Sequence, residues 1–183
     1  MVDEKSGEKK EIAGEFEFLT FQQVNDQCHQ FVSGLVHLGI SPKEHVGVWS
    51  KNRIEWQVVA EGCSMQNMVT ISLYDTLGAE SSEYINNHGE IVCVCCSGET
   101  LQKLLAILPQ CPQVRFIVCF DENEQTAELK KNSPIPIHFM REVQKMGREQ
   151  GLVAHKPPVS TDLFTIMYTS GTTGQPKGVM ITH

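Results

Sequence analysis

"EIVCVCCSGETLQKLLAILPQ" (Glu90–Gln110) decides the fold. Its opening, Glu90–Cys96, is almost continuously apolar, with no alternation between polar and apolar positions. Such a run reads as a strand covered on both faces, the normal condition of a parallel strand. Glu99–Gln110 then switches to a helical pattern that fades at Pro109, whose ring removes a backbone donor.

The same alternation of strand and helix extends in both directions. Upstream, Phe21, Val24, Cys28, Phe31, Leu35 and Leu38 follow the spacing of one helix face. Thr20 with Gln23 forms a capping box, and Gly39 is a stop. "HVGVWS" (His45–Ser50) reads as a short buried strand. Asn52, with Glu55 three residues on, is placed to cap a second helix, in which Trp56, Val59, Ala60 and Cys63 share a face and Trp56 belongs to the core. "MVTISL" (Met68–Leu73) is β-branched enough for the next strand, and a third helix is expected over Glu80–His88.

Downstream, "VRFIVCF" (Val114–Phe120) is another strand. Asp121–Pro136 reads as a polar excursion with at most a frayed helical turn, and Phe139–Gly151 as a short surface helix. "AHKPPVSTDL" is a linker, because its two prolines forbid regular structure. "LFTIMYTS" (Leu163–Ser170) starts a new strand. The class is therefore α/β: a doubly wound, mostly parallel sheet flanked by helices.

Composition narrows the function classes. Fifteen Lys and Arg against 22 Asp and Glu give a formal net charge of −7, which argues against a nucleic-acid surface. An anionic ligand would need a local site. The seven cysteines are odd in number, and their single C-x-x-C spacing, Cys93 to Cys96, falls inside an apolar run with no second pair to complete a site, so neither a structural zinc nor a disulfide framework is expected. Cys93, Cys95 and Cys96 read as a buried strand in a reducing, cytosol-facing compartment. The seven histidines are dispersed and are read as structural or exposed. Residues 1–15 are charged and read as a mobile N-terminus without the apolar core of a secretory signal. No apolar run approaches the roughly 20 residues that span a bilayer.

The strand at Leu163–Ser170 runs directly into "YTSGTTGQPKGVMITH" (Tyr168–His183). Gly171, Gly174 and Gly178 let the backbone turn sharply and approach a ligand. Successive N–H groups of such a loop form an anion-binding concavity. The hydroxyls of Thr169, Ser170, Thr172 and Thr173 add donors, and Lys177 adds a cation. Together they suit a polyphosphate; a plain Gly/Thr hairpin turn is the competing reading. The stretch is neither a P-loop, since no Ser or Thr follows the lysine, nor G-x-G-x-x-G.

This stretch resembles the phosphate loop of the adenylate-forming superfamily. "NRIEW" (Asn52–Trp56), "SLYDTLG" (Ser72–Gly78) and the helix after Thr20 resemble its long-chain fatty acyl-CoA synthetase branch. Residues 16–183 would then be part of a large N-terminal AMP-binding domain that ends just after the phosphate loop. The resemblance implies that ATP and a long-chain fatty acid form an acyl-adenylate and pyrophosphate, and that coenzyme A then takes the acyl group. It implies that Thr169, Ser170, Gly171, Thr172, Thr173, Gly174 and Lys177 hold the β- and γ-phosphates, with Mg2+ sharing the charge, and that His183 lies near the acyl site. Asp75 is read as organising the turn after its strand. The family's magnesium-binding acid, nucleoside contacts and catalytic lysine fall after this loop, so the chain is expected to be an N-terminal portion, inactive alone. Peripheral association with the endoplasmic reticulum or peroxisome is compatible with this resemblance. The alternatives are a ligase for another carboxylic acid, or a non-catalytic ATP-binding or dimerising module.

Overall fold

Thr20 starts the ordered architecture. The Gln23 N–H donates to Thr20 Oγ1 at 3.2 Å while the Thr20 N–H donates to Gln23 Oε1 at 2.8 Å, satisfying two donors that a helix start leaves open. Helix α1, Phe21–His37, follows, and Gly39 turns the chain out of it at φ +91°. The computed structural model describes residues 16–74, 78–169 and 174–183. The expectations for residues 1–15 and for Asp75 lie outside the described residues.

After α1 come β1 (His45–Trp49), α2 (Ile54–Met65), β2 (Val69–Ser72), α3 (Gly78–His88), β3 (Ile91–Cys96) and α4 (Gly98–Ile107). A 3-10 turn at Leu108–Gln110 ends α4 at the proline. Then follow β4 (Phe116–Cys119), α5 (Glu124–Lys131), β5 (Ile137–Phe139), α6 (Met140–Gln150), β6 (Leu163–Thr169) and β7 (Lys177–Thr182). The described strands form one sheet in the order β5-β4-β3-β1-β2-β6-β7. Pairing is parallel throughout except between β6 and β7, which form an antiparallel hairpin.

Alternate residues of each central strand feed two cores. Val46, Val48, Cys93, Cys95 and Val118 pack under α1, α2 and α6. Trp49, Val94, Cys96, Ile117 and Cys119 face α3 and α4. Both faces are apolar, which is why the β3 sequence "IVCVCC" shows no alternation. Leu101 and Leu104 of α4 are fully buried, each such side chain contributing roughly 1.5–3 kcal/mol. All seven cysteines are free and buried.

The structure departs from the sequence pattern in four places. Phe21, expected on the buried face of α1, is 98% exposed; the inward stripe begins at the partly buried Val24 and is fully buried from Cys28 to Leu35. Asn52 does not cap α2: Arg53 holds the N-cap position, without a side-chain cap bond. The polar excursion contains α5, capped by Asn123 and Thr126, and the edge strand β5 follows it. Helix α6 is not confined to the surface, since Met140, Val143 and Gly147 are buried. It crosses α1 so closely that a Cβ on Gly147 would strike Gln30 O, and one on Gly34 would strike Val143 O.

Residues 151–159 carry no regular structure, yet they are strapped down. His37 Nε2 meets Gly151 O at 2.8 Å, His29 Nε2 meets Val153 O at 2.8 Å, and Gln66 Nε2 donates to Ala154 O at 2.7 Å. This strap delivers the chain to β6 beside β2.

Candidate functional site

Parallel strands end at one edge of a sheet, and the loops there converge. β6 runs parallel to β2, so the turn from β6 to β7 emerges at the same edge as the ends of β1, β2 and β3. In open α/β sheets, ligands bind outside this carboxyl edge. Among the described residues, several clefts open there, and two border the loops after β1 and β3. One, about 890 Å³, is lined by Trp49, Lys51, Trp56, Tyr74, Phe164 and Met167, among others. The other, about 380 Å³, lies where β1 and β3 send their chains to opposite faces, between Arg53, Gly98 and Asp121.

The glycine-rich turn is held by its two ends. Thr169 is the last residue of β6 and Lys177 the first of β7, and they are register partners. Both are exposed. Gly174 takes φ +119°, a conformation that favours glycine. Pro176, beside Lys177, is buried and anchors the returning limb. Ser170, Gly171, Thr172 and Thr173 lie outside the described residues. Thr169, Gly174 and Lys177 are thus gathered at one end of the hairpin. His183 is not. It sits past the other end of β7, where its N–H donates to Asp162 O at 3.2 Å and its ring meets Phe164 edge-on at 5.1 Å. Five residues of β7, Gly178 to Thr182, separate it from Lys177, about 20 Å of strand.

Arg53 and Glu55 pair locally, Arg53 Nε donating to Glu55 Oε2 at 2.7 Å. Arg53 also reaches Asp121 at 2.9 Å, and Asp121 Oδ2 accepts the Gly98 N–H at 2.7 Å. A carboxylate at the first turn of α4 is favoured by the helix dipole. This network connects the ends of β1, β3 and β4.

One pair was not legible in the sequence. Tyr168, in the strand that feeds the turn, shares a 2.6 Å hydrogen bond with His88 Nδ1 of α3. The partners are 80 residues apart, so no spacing could have signalled it.

Residues 2–183 match the AMP-binding enzyme family. The chain belongs to that family. As an AMP-binding chain it is 41% identical over 183 residues to fatty acyl-CoA synthetase B of Dictyostelium discoideum, covering 97% of this chain and 27% of the relative. It is 36% identical over 171 residues to the peroxisomal long chain acyl-CoA synthetase 6 of Arabidopsis thaliana, covering 93% of this chain and 24% of that one. The chain therefore spans about a quarter of the curated relatives it matches. It superposes with a TM-score of 0.83, at 19% identity, on the A-PCP didomain of the carboxylic acid reductase of Segniliparus rugosus in complex with AMP, covering all of this chain and 28% of the other. That likeness establishes the fold shared by AMP-binding enzymes: a mostly parallel sheet with helices on both faces. No helix among the described residues is long and apolar enough to cross a membrane.

Proposed function

We propose that this chain is the phosphate-binding portion of an ATP-dependent long-chain fatty acid–CoA ligase, working at a cytosol-facing membrane surface such as the endoplasmic reticulum or peroxisome. The observation that carries the reading is the opposition of Thr169 and Lys177 at the carboxyl edge of the sheet, in a chain whose relatives are acyl-CoA synthetases. In this proposal Thr169, Ser170, Gly171, Thr172, Thr173 and Gly174 offer hydroxyl and backbone N–H donors to the β- and γ-phosphates of ATP. Lys177 supplies the positive charge. The fatty-acid carboxylate attacks the α-phosphate, the acyl-adenylate forms and pyrophosphate leaves; coenzyme A then displaces AMP from the acyl carbon. Donors fixed where charge accumulates on the departing pyrophosphate stabilise that transition state.

The donors here do not themselves fit a magnesium site. They are hydroxyls, amides and an ammonium, and among the described residues no group of three or more His, Cys, Asp or Glu could hold a metal, whereas magnesium is held through carboxylates and phosphates. Magnesium would arrive with ATP. His183 keeps its proposed place near the acyl site on resemblance alone, since it stands at the end of the hairpin away from Lys177.

The test is a chimera in which these residues replace the matching quarter of the Dictyostelium synthetase. Palmitate-dependent pyrophosphate release and acyl-CoA formation are the expected results. A folded chimera that binds ATP nowhere and releases no pyrophosphate would sink the reading.

A further inference from the structure

Tyr168 is the last side chain of β6 that points inward, with 4% of its surface exposed. Its register partner across the hairpin is Gly178. A Cβ at Gly178 would stand 3.2 Å from the Tyr168 ring and 2.9 Å from Ile166 Cγ2, so the phenol occupies the place of the missing side chain. At its other end the hydroxyl reaches His88 Nδ1 at 2.6 Å and passes over Gly89, where a Cβ would lie 3.4 Å from it. The imidazole is fixed in turn. Tyr84, one turn back on α3, stacks on it at 5.1 Å, and the Tyr168 ring meets it edge-on at 5.8 Å.

The end of β6 is therefore tied to α3, and the chain entering β7 faces the same helix across a cavity. Tyr168 holds the outgoing limb, and Gln175 of the returning limb lines a cavity of about 490 Å³ with Glu80, Glu83, Tyr84, Asn87 and His88. Burial pushes the Tyr168 phenol above its ordinary value, with Tyr84 adding to the effect, so it stays a neutral hydroxyl able to share a proton with the imidazole.

We propose that His88 and Tyr168 are positioning residues for nucleotide phosphate: their hydrogen bond ties the hairpin to α3 in the register that sets Thr169 opposite Lys177. This rests on the phosphate-loop reading of the preceding subsection. Neither residue supplies a donor to the phosphate in this proposal. They act through the paired strand ends at Thr169 and Lys177, where small displacements lose binding and rate.

The test measures the affinity of the chimera of the preceding subsection for ATP with magnesium, and for inorganic pyrophosphate, by calorimetric titration, with thermal unfolding recorded beside it. Tyr168→Phe and His88→Gln are expected to weaken both ligands about fivefold, the effect of one hydrogen bond. His88→Asn, whose carboxamide reaches the position of Nδ1, is expected to restore most of the loss. Unchanged affinities in Tyr168→Phe and His88→Gln, with only the unfolding midpoint lowered, would make the pair merely structural and overturn the proposal. His88→Asn binding as weakly as His88→Gln would also overturn it. A folded chimera with wild-type His88 and Tyr168 that binds neither ligand would remove the phosphate-loop reading itself, and this inference with it.

Discussion

Thr169 and Lys177 face each other across the open end of the β6–β7 hairpin, one closing its strand and the other beginning the next. The lysine is thereby aimed by sheet pairing, while its exposed ammonium remains available to a ligand. Lys177→Ala should weaken ATP and pyrophosphate binding by about 10- to 100-fold, since hydrogen bonds to charged groups contribute roughly 1.5–3 kcal/mol. In the chimera, the KM for ATP should rise while the affinity for fatty acid stays unchanged. Steady-state kinetics with each substrate varied in turn checks this. An unaltered KM for ATP would remove Lys177 from the phosphate site.

The crossing of α1 over α6 makes a stability prediction that sequence reasoning did not supply. Gly147→Ala places a methyl against the Gln30 carbonyl, which belongs to a helix backbone and cannot rotate aside. The substitution gains up to about 1 kcal/mol of helix propensity but overpacks a contact whose relief costs roughly 1–3 kcal/mol or more. Net destabilisation of about 1–2 kcal/mol is expected in urea unfolding. Gly39→Ala should destabilise for a different reason: its neighbourhood is empty, but its φ of +91° strains any L side chain.

The contrast between α1 and the region after β4 explains what the sequence could and could not reveal. The Thr20–Gln23 cap and the β3–α4 alternation depend on neighbours a few residues apart, and both were legible. Helix α5 is capped by Asn123 with Thr126 in the position where Glu or Gln is the familiar partner, so its start carries no familiar signal. β5 has three residues and owes its existence to pairing with β4. Arg53 leaves no local sign that it will reach Asp121, 68 residues on. The composition of the glycine-rich segment was legible; the attachment of β6 to α3 through His88 and Tyr168 was not, because that contact exists only after the sheet has formed.

Asp162 fastens the entry to β6. It accepts the Val159 N–H at 3.0 Å, pairs with Lys43 at 2.9 Å and accepts Asn67 Nδ2 at 2.8 Å. These partners, the Val159 amide first and Lys43 next, hold its carboxyl down at about 2. The unfolded value is about 3.9. A depressed folded value means that the stabilisation is complete above the unfolded pKa and is lost as pH falls through the folded one. Asp162→Asn should therefore lower the unfolding midpoint at about pH 7, and the difference from wild type should shrink between about pH 4 and about pH 2. A difference independent of pH would show that the charge of Asp162 is not what fastens the strap.

Asp121 joins three strand ends through the Gly98 N–H and Arg53, and its two interactions can be separated. Asp121→Asn keeps an acceptor for the α4 amide and loses the charge; Asp121→Ala loses both. The Arg53 and Asp121 side chains are each 31% exposed, so solvent weakens their ion pair to about 1 kcal/mol or less. The α4 amide, deprived of its acceptor beside a partly buried turn, accounts for roughly another 1 kcal/mol. Urea unfolding should rank wild type above Asp121→Asn and Asp121→Asn above Asp121→Ala. In a cycle with Arg53→Ala, the coupling to Asp121→Ala should equal the loss seen in Asp121→Asn, to within about 0.5 kcal/mol. Zero coupling would assign the whole effect to the amide and leave Arg53 held by Glu55.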